Sequence, residues 1–190
     1  SVNLGFGYFL NDSTLLEINA QPGVYSDFSG TLHHGDWQMY GNALVTWQYD
    51  RNIYVRAGAE YSGLFRDIEA YPLLGVGLAI QNNFRFDLLA PRSARLTADL
   101  SQDSSLNLSL DLAGNEYQIR PRQPSNHQTV HVQELELSLG GYHRFNKAVS
   151  LHARVGTTLL GDYKWRNTTA VYRGTLEPQM FAEVGFGWTF

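Results

Sequence analysis

Residues 181–190 read Phe181-Ala182-Glu183-Val184-Gly185-Phe186-Gly187-Trp188-Thr189-Phe190. In an extended chain successive side chains face opposite ways. Ala182, Val184, Phe186, Trp188 and Phe190 therefore share one face, and Glu183, Gly185, Gly187 and Thr189 the other. One face is apolar and aromatic; the opposite face is small or polar. That asymmetry suits a wall with hydrocarbon on one side and a polar lumen on the other. The pattern recurs upstream. Leu106, Leu108, Leu110 and Leu112 alternate with Asn107, Ser109 and Asp111, and Val149, Leu151, Ala153 and Val155 alternate with Ser150, His152, Arg154 and Gly156.

Composition fits such a wall. The 190 residues are 13% aromatic but only 17% charged, an unusual balance for a soluble domain. Mean hydropathy is −0.28, as expected where half of each strand faces a polar interior. No run approaches the roughly 18 apolar residues of a transmembrane helix. Lipid contact must then come from closed strands, because an open sheet edge in hydrocarbon leaves backbone groups unpaired. Cysteine is absent, which removes disulfides and thiolate metal sites. The net charge of −4 and the scattered 14 Lys and Arg give no basic patch, so nucleic acid is not an expected partner. Export requires a signal peptide, and no charged start followed by an apolar stretch is present, so a mature or trimmed form is expected.

Polar breaks at Asn11–Ser13, Asp50–Asn52, Gln81–Asn83, Ser101–Ser105 and Asn146–Lys147 read as short turns. Longer connections at Ser26–Asp36, Arg66–Tyr71, Arg120–Val130 and Gly161–Glu177 are expected on the opposite, external side. Between them lie Val2–Leu10, Thr14–Val24, Trp37–Tyr49, Ile53–Phe65, Pro72–Ile80, Phe84–Ala90, Arg95–Leu100, Leu106–Ile119, His131–Phe145, Ala148–Leu160 and Pro178–Phe190. The expected fold is one all-β domain over residues 1–190, a transmembrane antiparallel up-and-down β-barrel of 10–12 strands. Eleven are readable. Parity would start the first of them on the external side, so an additional strand before Ser1, giving twelve, is favoured over a miscount at Pro91, giving ten. Pro91 supports a turn within Ala90–Ala94, since proline cannot donate to a ladder.

The same alternation sends Glu17, Arg56, Glu60, Arg85, Asp87, Arg95, Asp99, Asp111, Glu134, Glu136, Arg144, Arg154 and Glu183 inward. Arg or Lys facing lipid at the midplane costs roughly 2–4 kcal/mol, which makes this sorting informative. Two uses of the interior remain open. Paired charges can pack a narrow barrel, or Glu134 and Glu136 opposite Arg144 and Arg154 can form the eyelet of a polar channel. His152, Arg56, Glu60 and Asp111 complete the candidate lumen lining.

Catalytic signals are poor, and no enzyme activity, cofactor or metal is expected. His33 and His34 beside Asp36 lie in an external loop, where a general base and its orienter are conceivable but solvated side chains suffice. His127 and His131 are four apart, a metal-pair spacing only on a helix. His143 falls on the lipid face near a turn. No Gly-x-Ser-x-Gly elbow or phosphate-binding glycine loop is present. Gly5, Gly7, Gly75, Gly77, Gly185 and Gly187 occupy alternate strand positions and read as relief of crowding or as sites of curvature. Tyr8, Trp37, Tyr49, Tyr61 and Trp188 read as interfacial aromatics.

Two resemblances add to this. Val184, Phe186, Trp188 and Phe190 resemble the C-terminal assembly signal of bacterial outer-membrane barrels, which implies the barrel-insertion machinery as a partner during assembly. Tyr71–Leu100 (YPLLGVGLAIQNNFRFDLLAPRSARLTADL), with the Leu-alternating strand and Gly114–Tyr117 (GNEY) that follow, resembles a family of uncharacterised bacterial outer-membrane barrel proteins defined by a domain of unknown function. That resemblance extends from about Leu4 to Phe190. It implies an outer-membrane location with lipid and lipopolysaccharide as surroundings, and it carries no catalytic residues. The expected function is a narrow, porin-like channel for small polar solutes. The alternative is a non-conducting barrel whose external loops bind a partner or a surface glycan.

Overall fold

Alternation of β-branched, aromatic and leucine residues with polar ones produces strands along nearly the whole chain. The computed structural model describes residues 2–24, 37–65, 68–81, 83–119, 128–166 and 170–188. The strands are β1 (Leu4–Asn11), β2 (Thr14–Val24), β3 (Trp37–Gln48), β4 (Ile53–Phe65), β5 (Ile68–Gln81), β6 (Phe84–Ala90), β7 (Ser93–Asp99), β8 (Ser104–Ile119), β9 (Gln128–Arg144), β10 (Val149–Arg166), β11 (Val171–Leu176) and β12 (Met180–Trp188). Each pairs antiparallel with its sequence neighbour from β1 to β11, in one sheet, and β12 also pairs with β10. β11 occupies Gly161–Arg166 of β10 and β12 occupies Val149–Thr157. The Thr158 amide donates to Gln179 O at 2.8 Å between them. β11 and β12 are thus two segments of one last strand position, and the sheet is an up-and-down meander of eleven positions. Among the described residues β1 pairs only with β2, and β11 and β12 only with β10, so the described sheet has two edges.

The expected turns form with side-chain support. Asn146 Oδ1 accepts the amides of Ala148 and Val149 at 2.8 and 2.9 Å, and Asp50 Oδ1 accepts those of Asn52 and Ile53 at 2.6 and 3.1 Å. β6 and β7 are separate strands joined at Pro91 and Arg92, which excludes the ten-strand count. At seven residues each they are much shorter than their neighbours β5 and β8, of 14 and 16 residues, and leave a notch in the rim. Three connections are shorter than expected. β5 already begins at Ile68 and β9 at Gln128, and the segment expected as a loop over Gly161–Glu177 is largely hairpin, with Trp165 stacked on Tyr172 at 5.0 Å. The expected loop Ser26–Asp36, with His33 and His34, lies wholly outside the described residues, as do His127 and Phe190.

Register divides the side chains between two faces. Cross-strand partners share a face, so the pairs Glu17–Leu44, Leu44–Gly58, Gly58–Leu73, Asp87–Arg95, Asp111–Glu136 and Arg154–Glu183 place these residues together on the inner face. The outer face carries Ile18, Val45, Val55, Leu74, Leu88, Leu96, Leu108, Leu139, Val155 and Val184, all exposed. Its outward strand positions over 14–24, 37–48, 53–61, 70–81, 84–90, 93–99, 106–110, 135–144, 149–160 and 180–188 hold no Asp, Glu, Lys or Arg. Tyr8, Trp47, Phe84, Phe145 and Trp188 stand exposed near the short-turn ends, and Trp37 and Tyr61 nearer the opposite end.

The sheet curls towards its inner face, bringing β4 against β8. A small apolar cluster fills that curl: Leu44, Tyr71 and the fully buried Leu73, with Leu89 packed on it; Leu112, expected on the outward leucine face of β8, packs on this cluster too. Gly58, lying between Leu44 and Leu73 in register, leaves the room for it.

Candidate functional site

The inner face is built from charged pairs that span adjacent or next-nearest strands. On β9, β10 and β12 the centre is Arg154. Its Nε donates to Glu183 Oε2 at 2.7 Å, its Nη1 lies 3.7 Å from Glu136 Oε2, and its guanidinium sits over the Phe181 ring at 5.1 Å. His152 Nε2 is 3.6 Å from Glu183 Oε1. These side chains are a third to a half exposed, apart from the less exposed Glu136, and line open space. Gly185 makes the arrangement possible, since a Cβ there would overlap the imidazole of His152, its cross-strand partner.

A second run crosses β4 to β8. Arg56 reaches over β5 to Asp87 at 3.5 Å, donates to Tyr54 Oη at 3.0 Å and covers the Tyr54 ring at 4.6 Å. β5 permits this because Gly75 and Gly77 stand opposite Arg56 and Tyr54, and a Cβ on Gly77 would overlap the Tyr54 ring. Arg85 pairs with Asp99 at 3.1 Å and Arg95 with Asp111 at 3.9 Å. Ser109 donates to Asp111 at 2.6 Å and contacts Ser138 at 2.9 Å.

The third group surrounds Glu60, of which only 3% is exposed. Its Oε1 accepts from Tyr71 Oη at 2.6 Å and pairs with Arg92, and Tyr71 Oη also meets Ser62 Oγ at 3.0 Å. Arg92 comes from the β6–β7 turn, so this contact braces the rim notch to β4 across the inside of the curl. Glu60 Oε2 is buried and has no hydrogen-bond partner among the described residues. Beside the brace lies a cleft of about 330 Å³ lined by Asn19, Asn42, Glu60, Ser62 and Arg92, with Leu112–Gly114 of β8 opposite.

The residues expected to form one eyelet are therefore divided among several sites. Glu136 and Arg154 meet. Arg144 does not join them: it is the last residue of β9 and turns to the short-turn rim, where it pairs with Asp103 at 2.8 Å and reaches Gln102 O at 3.3 Å. Glu134 stands opposite Gly161 and Ala113, away from Arg144. Arg56, Glu60 and Asp111 each belong to a different pair. His143 is on the outer face, 2.8 Å from Ser104 Oγ and edge-on to Phe145. Arg92, Tyr71 and the inner leucines were not singled out from the sequence. The inward parity of Gly75 and Gly77 extends to Leu73 and Tyr71 and could have found those two; a turn residue such as Arg92 has no parity to follow.

Chemically, the described inner face offers fixed charges, amides and hydroxyls. Among the described residues no group of three or more His, Asp or Glu is placed to hold a metal ion. No curated protein and no solved structure matches the chain. Over residues 1–189, nearly its full length, the chain matches a protein family described as "Domain of unknown function (DUF6268)", and it belongs to that family.

Proposed function

We propose that this protein is a bacterial outer-membrane β-barrel that forms a narrow channel for small polar solutes. One observation carries the proposal: the antiparallel register puts the charges of the wall-forming segments on the inner face and leaves an outer face of exposed apolar side chains. In water such a face would be a very large apolar patch; in a bilayer it is the lipid contact, with aromatics near both ends as interfacial residues. The edges β1 and β11/β12 run in the same direction. Closure takes one further antiparallel strand between them, or a parallel seam. The conducting path follows the half-wet Arg154, Glu136, Glu183 and His152 side chains, whose fixed charges bias which solutes enter.

The alternative, a non-conducting barrel acting through its external loops, draws support from the apolar cluster and the Glu60–Arg92 brace, which occupy part of the interior. Planar-bilayer conductance under a salt gradient separates the two. Discrete steps whose cation preference rises in Arg154→Met, which leaves Glu136 and Glu183 without their cation, support the channel. A folded protein that inserts and never conducts refutes it.

A further inference from the structure

We propose that the cleft beside Glu60 is a binding subsite for a neutral, polyhydroxylated solute of mono- or disaccharide size. The proposal deepens the channel reading and rests on the interior being accessible to solute. Its volume of about 330 Å³ falls at the lower end of the roughly 300–1,000 Å³ typical of small-molecule sites.

The chemistry of the lining selects the class. Glu60 and Arg92 neutralise one another, so a ligand of either net charge would face an opposing partner at the same pair. What remains is neutral hydrogen-bonding capacity. Asn19 Nδ2 donates to Asn42 Oδ1 at 3.0 Å, which leaves Asn19 Oδ1 and the second acceptor and donor positions of the Asn42 amide without partners among the described residues. Both amides line the cleft together with the Ser62 hydroxyl. The Glu60 carboxylate is itself closed off from the cleft, with its second oxygen buried, and holds Arg92 at the cleft's edge. A sugar hydroxyl donates and accepts at one atom. Two or more hydroxyls on a rigid ring engage both amides at once without adding charge to the cleft. A cation would compete with Arg92 for Glu60, and an anion with Glu60 for Arg92.

The test uses the full chain refolded into lipid nanodiscs, titrated with glucose and maltose and, as charged analogues, galacturonate and glucosamine. Heat of binding is the readout. Saturable binding of a neutral sugar is expected, weakened about five- to tenfold by Asn42→Ala and by Asn19→Ala, on the order of one net hydrogen bond each. Glu60→Gln is expected to weaken it as well. Because that variant removes a buried ion pair, a far-ultraviolet spectrum and melt first establish that it folds; the Asn variants, on partly exposed positions, keep the test independent of it. No heat with either neutral sugar, tighter binding of a charged analogue, or binding that survives both Asn substitutions overturns the subsite. Conductance of the same preparation is recorded separately. A protein that conducts but binds no sugar refutes the subsite alone, and one that binds sugar but does not conduct refutes the channel alone.

Discussion

Arginine placed at Leu108 tests whether the outer face meets lipid. Leu108 lies in one cross-strand row with Leu96, Leu139, Val155 and Ala182. On β10 that row passes midway between Val149 and Leu160, the ends of the outward apolar run, so it marks the level furthest from both rims. Leu108 is 47% exposed and Leu139 53%, which leaves no side-chain shelter for a guanidinium. The cost of an arginine at a bilayer midplane is roughly 2–4 kcal/mol, falling to about 0–1 near the interface. Leu108→Arg should therefore lower the folding equilibrium constant by roughly 30- to 900-fold. Leu100→Arg, at the short-turn end where Leu100 is 64% exposed, should lower it less than about fivefold. Equilibrium urea unfolding in phospholipid vesicles, followed by tryptophan fluorescence, reads both. If Leu108→Arg costs under about 0.5 kcal/mol, or no more than Leu100→Arg, the outer face behaves as an ordinary wet surface. The membrane assignment is then wrong.

Two further outcomes follow from the inner face. Gly77→Ala should destabilise by about 1–3 kcal/mol through overlap with the Tyr54 ring, and a double-mutant cycle with Tyr54→Ala should return a coupling of about 0.5–3 kcal/mol; additive melts would remove the ring-over-glycine account. Tyr71→Phe should cost about 1–3 kcal/mol by taking a donor from buried Glu60. Arg92→Ala should cost at least as much, tempered because Arg92 is 45% exposed, and Glu60→Gln in that background should restore part of the loss. Chemical melts of the set check this, and a worse double variant would show that Glu60 does not depend on Arg92.

How far the sequence could be read depended on how sharply the two faces of each strand differ. β8 was legible from Leu106 to Leu110 because its two faces differ: these leucines stand exposed on the outer face, while Asn107, Ser109 and Asp111 turn to the inner one. Further along β9 and β10 polar side chains are buried too, with His131 5% and Lys164 8% exposed, and the period-2 signal dissolves. On β10 the register shift between Thr158 and Leu160 reverses parity, and beyond it Asp162 and Lys164 fall on the outer face. The strand therefore continues through a stretch whose composition looks like a loop. Its partner β11 is recognisable only through long-range pairs such as Tyr163 with Gly174 and Trp165 with Tyr172. The same holds for the starts of β5 and β9. Partner choice was legible still less often. Alternation sends Arg144 and Glu136 to one face but is silent on height, and Arg144 sits at the rim beside Asp103, 41 residues away in sequence. Arg92 and Glu60, 32 apart, meet only because the short β6–β7 hairpin leaves a notch through which the turn folds inward.

The apolar cluster and the Glu60 brace have one cause. Among the described residues the buried apolar side chains gather on the inner face, where Leu44 and Leu73 close over Gly58 and exclude water. That closure also removes water from Glu60, one cross-strand position from Leu73 along the ladder. A carboxylate so desolvated needs donors from the protein. Tyr71 supplies one from the paired strand, and Arg92 supplies the second together with the opposing charge. Glu183 makes the contrasting case. It is 48% exposed and keeps water as a partner even if Arg154 is lost, so neutralising Arg154 should change the charge of the inner face while the fold survives. Removing a partner of Glu60 acts first on stability. Side chains that look equivalent in the alternation thus divide between bracing the sheet and standing open on its inner face, according to whether the inner leucines reach them.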